Sequence, residues 1–232
     1  MCRVQFVGYP GGPDLGGSSA EVVEDSTQVL DTSGLTIESL WSGYRRSRRQ
    51  DIRKIRERGV TVEETRDAAD IDEVHACYLE TMKATGGMAR YKRELLHAIV
   101  EHVTPQSGRM YVARHQGKVI AGMVVVDSAR LSHGLLLAAR SSARPQQPNK
   151  LLLHTAAERA ITDGKDGLDF MPSGQSAQGV SKFKNLWGAT TRPLQHHTFV
   201  VLPLRNWLWK TAYAMAGRPP FRAMLSYLRG SR

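Results

Sequence analysis

Three closely spaced apolar segments in the middle of the chain constrain its fold more than any other feature. Residues 110–113 and 119–126 have the composition of strands joined by a Gln-Gly-Lys turn at 116–118, and residues 131–139 follow after a short link. Links this short join antiparallel neighbours, because a parallel pair needs a crossover of a dozen residues or more. The pattern therefore predicts an antiparallel meander.

Helical patterns flank the meander. Asp70 is predicted to cap a helix that ends at Gly86, and residues 91–103 form a second helical pattern. After the meander, Asn149 is predicted to cap a helix that crosses over to a short strand. The resulting order predicts a mixed α/β sheet. Strands are expected near residues 60–64, 109–115, 118–127, 131–139, 167–170 and 190–201.

Composition divides the chain into four segments. Residues 1–35 contain a Gly/Pro-rich stretch and too little apolar mass for a core, so we interpret them as an extended segment or the remnant of a preceding domain. Residues 36–59 are predicted as one basic helix ended by Gly59, and residues 60–202 as the α/β domain. Residues 203–232 form a basic amphipathic tail.

The net charge of +10 favours anionic partners, and it is concentrated in two places. Residues 44–58 carry a net +6, which suits contact with a phosphate backbone such as that of tRNA, or simply a solvated helix face. Residues 203–232 carry six basic residues and no acid, mixed with aromatic side chains such as Trp207 and Phe221. This composition predicts binding to an anionic membrane surface, with packing against another domain or subunit as the alternative.

Several other classes of protein are not expected. The longest apolar run, residues 119–126, is too short to span a membrane, and no secretory signal is recognisable, so we expect a cytoplasmic protein, which would be peripheral on the inner membrane face if the tail binds lipid. Cys2 and Cys77 form no metal-binding spacing, and the adjacent pair His196-His197 should face opposite sides of a strand. No metal site is therefore predicted. No Gly-x-Ser-x-Gly elbow occurs, so a hydrolase triad is not predicted either.

Five short stretches together carry a resemblance to a known family. In chain order they are the basic residues 45–60; Tyr111-Val112-Ala113 with Gly117-Lys118 and Ala121-Gly122; Arg144-Pro145 with Asn149 and residues 151–153; Leu168-Asp169-Phe170; and Lys182-Phe183-Lys184 with Trp187-Gly188-Ala189. Taken in this order, they resemble the GNAT acyltransferase fold and, more closely, its FemAB-like branch with the BioF2-like acetyltransferase domains. The likeness covers roughly residues 27–200 and corresponds to the second of the two halves that family members usually contain.

The resemblance implies an acyltransferase or aminoacyltransferase. Its donor would be acyl-CoA or aminoacyl-tRNA, used as a co-substrate with no permanently bound cofactor. Its acceptor would be an amine or hydroxyl of a cell-envelope precursor, either peptidoglycan or polysaccharide. The Gly-containing loop that binds the CoA pyrophosphate in the broader fold is missing, since residues 140–149 contain no glycine. The alternative function is a non-catalytic relic of the fold that binds nucleic acid or membrane.

The motif matches imply the catalytic residues. Lys184 would stabilise the oxyanion that forms during acyl transfer, and Phe183 would fix the helix against the sheet. Asp169 would act as a base or as an orienting hydrogen-bond acceptor, with capping of the following turn as the alternative.

The donor-binding residues are predicted at the start of the crossover helix. Arg144, Asn149 and Lys150 lie where helix amides and positive charge can meet a phosphate group. Simple capping of the helix by Asn149 is compatible with this role.

Overall fold

The computed structural model describes residues 3–8, 21–103, 107–172, 178–200 and Trp207. It divides into two compact units. The larger unit is Thr27–Arg192, and the smaller unit combines Met1–Ser26 with Pro193–Arg232.

The described residues form six α-helices and eight strands. The helices are α1 Ile37–Gly43, α2 Arg46–Glu57, α3 Ala68–Thr85, α4 Arg93–Ala98, α5 Pro148–Thr162 and α6 Gln178–Asn185. The strands are β1 Arg3–Gly8, β2 Glu21–Asp31, β3 Val60–Glu64, β4 Gly108–His115, β5 Lys118–Asp127, β6 Leu131–Ala139, β7 Gly167–Asp169 and β8 Thr190–Val200. A π-helical turn, Ile99–Val103, continues α4, and a 3-10 segment, Ser141–Gln146, precedes α5.

In the larger unit, six strands are ordered β2-β7-β6-β5-β4-β3. The pair β6 and β7 is parallel, and each of the other described pairs, β2–β7, β3–β4, β4–β5 and β5–β6, is antiparallel. The sheet is therefore mixed, and the meander β4-β5-β6 leads through α5 into β7 as the sequence predicts. The predicted fold class is confirmed, and each predicted strand is observed with ends that differ by no more than a residue.

Each face of this sheet buries its own apolar cluster. On one face, α1, α2 and α5 pack around residues such as Ile52, Leu152 and Leu168. On the other face, α3 and α4 contribute Val74 and Leu96, which pack with the opposite side chains of the meander. Alternating strand residues supply both layers, because successive side chains point to opposite faces.

Close packing of α3 on β5 depends on a glycine. A Cβ atom added at Gly122 would lie 2.3 Å from Cγ2 of Val74, so no larger residue fits without moving the helix. Val74 is fully buried at this contact. The helix therefore lies directly on the backbone of the strand, and its register along the sheet is set by this contact.

The smaller unit contains an antiparallel strand pair. β1 pairs with β8 in a register that runs from Arg3 opposite Val200 to Gly8 opposite Gln195. His196 lies 3.2 Å from the carboxylate of Asp25. The predicted tail at 203–232 lies outside the described residues except for Trp207, whose side chain is exposed. Within the part of the chain that the structure describes, no helix has the length and apolar character needed to cross a membrane.

Three helix boundaries differ from the prediction. The helix predicted at 36–58 is interrupted because Tyr44 has extended backbone angles, which place its ring in the core between α1 and α2. Asp67, not Asp70, caps α3, while Asp70 is buried and pairs with Arg114. Gln147, not Asn149, is the residue before α5, since Pro148 takes the first helical position.

Candidate active site

A cleft opens where the two parallel strands of the sheet separate. β6 and β7 pair only from Leu131 opposite Gly167 to His133 opposite Asp169, and beyond that point their paired register ends. A cavity of about 450 Å³ lies at the opening. It is lined by Met123, Gly134, Leu135, Leu137, Asn149, Leu153, Phe170, Met171, Pro172, Gly179, Phe183 and Lys184. Most of this lining is apolar, as is usual for a small-molecule pocket.

A β-bulge lies at the point where the strands separate. Val125 pairs with Gly134 and Val124 pairs with Leu136, so Leu135 has no partner in the register. Bulges of this kind re-aim side chains next to functional sites. The residue before the bulge is a glycine whose added Cβ would lie 3.1 Å from Cε of Met123 and 3.4 Å from the carbonyl oxygen of Asp169. A side chain at position 134 would therefore crowd the opening.

Lys184 supplies a buried cation to this cavity. Its residue is 7% exposed, and its ammonium donates a hydrogen bond to the carbonyl oxygen of Met171. Burial lowers the pKa of Lys184 to about 8, although the nearby charge of Asp169 raises it. Within the described residues no carboxylate lies at salt-bridge distance from Lys184. The amine of Lys184 is therefore mostly protonated near pH 7, and its positive charge is only weakly neutralised by its surroundings.

Asp169 lies beneath the opening and is almost fully buried. Its Oδ1 accepts hydrogen bonds from the hydroxyl of Thr27 and, at 2.8 Å, from the N–H of Met171. Its Oδ2 lies 3.0 Å from Nδ1 of His133. Met171 has a φ of +61°, in the left-handed region. In this conformation its N–H donates to Asp169 and its carbonyl accepts from Lys184. Met171 thus connects the carboxylate with the ammonium through its own N–H and carbonyl groups.

A second cavity of about 370 Å³ lies at the start of α5. It is lined by Thr81, Ala84, Thr85, Ala139, Arg140, Ser141, Ala143, Arg144, Gln147, Pro148, Asn149, Lys150 and Phe183. Asn149 and Phe183 line both cavities. The positive end of the helix dipole at this end of α5 favours an anion. The two cavities therefore combine an apolar compartment with one suited to a charged group.

The three predicted donor-binding residues differ in their electrostatic state. Arg144 is exposed and, among the described residues, its guanidinium makes no ion pair. Lys150 is already paired, with its ammonium 2.7 Å from the carboxylate of Asp51 and 2.5 Å from the side-chain oxygen of Gln147. The side-chain oxygen of Asn149 is buried without a hydrogen-bond partner in the described structure. Arg144 and Asn149 are thus better placed than Lys150 to meet a ligand.

The loop between β6 and α5 is held by α3. Thr81 lies with its hydroxyl 3.2 Å from both the N–H and the carbonyl oxygen of Ala139. Arg140 pairs with Glu73 at 2.5 Å and with Glu80 at 3.6 Å. The wall of the second cavity is therefore fixed by polar contacts that no local sequence motif predicts.

A buried arginine packs against α6 and was missed by the sequence interpretation. Arg48 belongs to the basic helix α2, yet it is 6% exposed and its guanidinium carbon lies 4.3 Å from the ring centroid of Trp187 and 5.9 Å from that of Phe183. Its Nε and one terminal nitrogen are buried without hydrogen-bond partners in the described structure. Burial lowers the pKa of Arg48. The one available signal was its place in register with Ile52 and Ile55, four and seven residues later.

The predicted site residues fall into two connected groups. Lys184 and Phe183 line the cleft, and Asp169 is joined to it through Met171. Arg144, Asn149 and Lys150 line the second cavity. Their chemical roles remain predictions. No group of His, Cys, Asp and Glu side chains among the described residues is arranged to hold a metal ion.

Comparisons with known proteins bear on the family and the fold. A family model described as an acetyltransferase (GNAT) domain matches residues 42–185. No curated protein sequence matches the chain. The structure is similar to the crystal structure of FemX, with a TM-score of 0.63 and 14% identity over 87% of this chain and 68% of that one.

Two further solved structures are also similar in fold. The C-terminal domain of a protein named as a lysylphosphatidylglycerol synthetase from Agrobacterium fabrum gives a TM-score of 0.55 at 11% identity, over 77% of this chain and 61% of that one. The structure of L-PGS from Bacillus licheniformis gives a TM-score of 0.55 at 12% identity, over 77% of this chain and 62% of that one. The chain thus spans less than two thirds of these two structures. At such identities the likeness shows the fold alone.

Proposed function

The chain belongs to the GNAT acetyltransferase family, and on that premise we propose that it transfers an acyl group from acyl-CoA or aminoacyl-tRNA to an amine or hydroxyl of a cell-envelope precursor. The likeness of its motifs to the FemAB-like branch supports an acceptor of the peptidoglycan or polysaccharide kind. The fold shared with FemX is compatible with this choice of branch.

The observation that carries the proposal is the buried ammonium of Lys184 in the cleft between β6 and β7. Acyl transfer places negative charge on the carbonyl oxygen when the acceptor attacks. A hydrogen-bond donor that is already held in an apolar cavity stabilises this charge far more than one in water. Among the described residues Lys184 contacts only the carbonyl of Met171, which uses one of its three N–H groups, so the other two can serve this purpose.

Asp169 is assigned an orienting role in this mechanism. Its carboxylate accepts the N–H of Met171, and the carbonyl of the same residue accepts from Lys184. The carboxylate therefore fixes the backbone of Met171, whose carbonyl holds the ammonium. Phe183 packs at the junction of the two cavities and holds the adjacent turn of α6 against them.

The donor is assigned to both cavities together. Acyl-CoA and aminoacyl-tRNA each carry phosphate groups, which suit the second cavity with Arg144 and the N-terminus of α5. The acyl or aminoacyl group then extends past Phe183 toward Lys184. A non-catalytic relic that binds nucleic acid or membrane is the alternative function, and it gives no reason for a poorly neutralised ammonium to line the same cleft as the predicted acyl group.

Donor binding and transfer can be tested with one set of proteins. We expect one of three donors, acetyl-CoA, palmitoyl-CoA or alanyl-tRNA, to raise the melting temperature of the protein. Arg144→Ala should weaken the binding of that donor. Lys184→Met should retain donor binding but slow transfer to peptidoglycan precursors by about 10²-fold or more, the scale for losing one oxyanion donor. Lys118→Met, which removes an exposed lysine from the far end of β5, is the matched control and should transfer normally.

Two results would contradict the proposal. If none of the three donors binds, the alternative of a binding relic is favoured. If a donor binds and is used, but Lys184→Met transfers it as fast as the Lys118→Met control does, then Lys184 does not stabilise the oxyanion.

A further inference from the structure

Two hydrogen-bond contacts join the side chains of Ser128, His133 and Asp169. Ser128 lies in the turn between β5 and β6, His133 is the third residue of β6, and Asp169 is the last residue of β7. The Oγ of Ser128 lies 3.1 Å from Nε2 of His133. Nδ1 of the same ring lies 3.0 Å from Oδ2 of Asp169. These are the contacts that define a serine–histidine–aspartate triad, which is recognised by geometry and not by chain order.

The buried carboxylate fixes the tautomer of the histidine. Asp169 is 1% exposed, and its other oxygen is held by the hydroxyl of Thr27 and the N–H of Met171. An ionised carboxylate only accepts hydrogen bonds, so Nδ1 of His133 must carry the proton at this contact. In the neutral ring Nε2 is then the acceptor. The hydroxyl of Ser128 is the group positioned to donate to it.

The surroundings of Ser128 suit a nucleophile. The residue is exposed, so a substrate can reach it from solvent. The N–H of Leu131 donates to its Oγ at 3.1 Å, and the ammonium of Lys165 lies 2.7 Å from its carbonyl oxygen. The N–H of Leu131 favours negative charge on this oxygen. The carbonyl of Leu131, also at 3.1 Å, is the competing acceptor for the hydroxyl proton.

We propose that Ser128, His133 and Asp169 form a nucleophilic triad that cleaves carboxylic esters reaching it from solvent. Oγ of Ser128 attacks the ester carbonyl, its proton passes to Nε2 of His133, and the C–O bond to the leaving alcohol breaks as that alcohol takes the proton. The product is an acyl-serine ester. Water then attacks this ester with His133 as base, which releases the carboxylic acid and restores the serine. This activity needs neither the acyl donor of the transfer reaction nor Lys184.

A fluorophosphonate probe tests the proposal on the full chain. We expect one adduct per chain by intact mass, located on Ser128 by peptide mass spectrometry of the wild-type protein. Ser128→Ala should abolish the adduct. His133→Ala should slow its formation by about 10²-fold or more, the range for losing a general base. Ser42→Ala is the matched control, because Ser42 is an exposed serine that bonds the carbonyl of Ser39 without a histidine, and it should label as the wild type does.

Peptide mapping of the wild type decides the question even if His133→Ala fails to fold. No adduct on Ser128, under conditions in which an authentic serine hydrolase is fully labelled, would overturn the proposal. Equal labelling rates in folded His133→Ala and wild type would overturn it as well. Because labelling requires no donor and no Lys184, its failure leaves the proposed acyl transfer untouched, and a failure of acyl transfer leaves this triad untouched.

Discussion

Two buried cations in the larger unit show opposite solutions to the cost of burying charge. Arg109, on β4, is surrounded by carboxylates: Asp127 at 2.5 Å, Asp163 at 2.7 Å and Glu64 at 3.8 Å. Lys184, at the cleft, has one direct partner among the described residues, the backbone carbonyl of Met171. Both residues are about 6–7% exposed. Equal burial therefore coincides with complete neutralisation at one site and very little at the other.

The difference separates structural charge from charge that is available for chemistry. A buried cation with three carboxylates has no capacity left for a ligand, and it holds the strand ends and α5 together. A buried cation with a weak partner destabilises the free protein and regains that free energy only when negative charge appears beside it. Arg48, packed over the rings of Trp187 and Phe183, belongs with Lys184 by this criterion.

The largest effect on stability is expected at Arg109. Arg109→Met should lower the free energy of unfolding by about 3–5 kcal/mol, because it leaves the buried carboxylate of Asp127 without its cation. Arg93→Met is the matched control, since Arg93 is 56% exposed in its pair with Asp72 and such pairs contribute about 0–1 kcal/mol. Urea unfolding of the three proteins measures both values. A loss at Arg109 no larger than that at Arg93 would remove one side of the comparison.

A much smaller effect is expected at Arg48. Arg48→Met gives up stacking on Trp187, worth about 0.5–2 kcal/mol, but also relieves a cation whose burial is not compensated by a carboxylate partner. The net change in the free energy of unfolding should stay within about 1 kcal/mol, since these two contributions oppose each other. Urea unfolding also checks this variant. A loss as large as that of Arg109→Met would place Arg48 among the structural cations.

The sheet was predictable from the sequence because its determinants are local. Residues 119–126 and 131–139 are apolar runs with short links, and such patterns define strands without knowledge of the rest of the fold. The break between α1 and α2 was not predictable, because the apolar stripe continues through Tyr44 while the tertiary packing of its ring overrides it.

The site was predictable only where a motif carries it. Lys184 and Asp169 were found through their places in the resemblance, and Arg144 through its place before a helix. The partners that determine what these groups do lie far away in sequence: Thr27 is 142 residues from Asp169, and His133 is 36 residues from it. In the sequence Arg48 cannot be distinguished from the other cations of the basic run, because its burial depends on tertiary packing.

The central claim is that Lys184 is a buried and poorly neutralised cation, and titration of its ε-methylene signal by lysine-labelled NMR tests it most directly. The account predicts a midpoint at a pKa of about 8, with this signal assigned by its absence from Lys184→Met. Because an unfolded lysine keeps its proton up to about 10.4, the unfolded state binds more protons above pH 8, so wild-type stability relative to Lys184→Met should rise between these values. Oxyanion stabilisation should be lost as the pH rises through 8, because Lys184 then loses its proton. A midpoint at the ordinary value of about 10.4 would contradict the account.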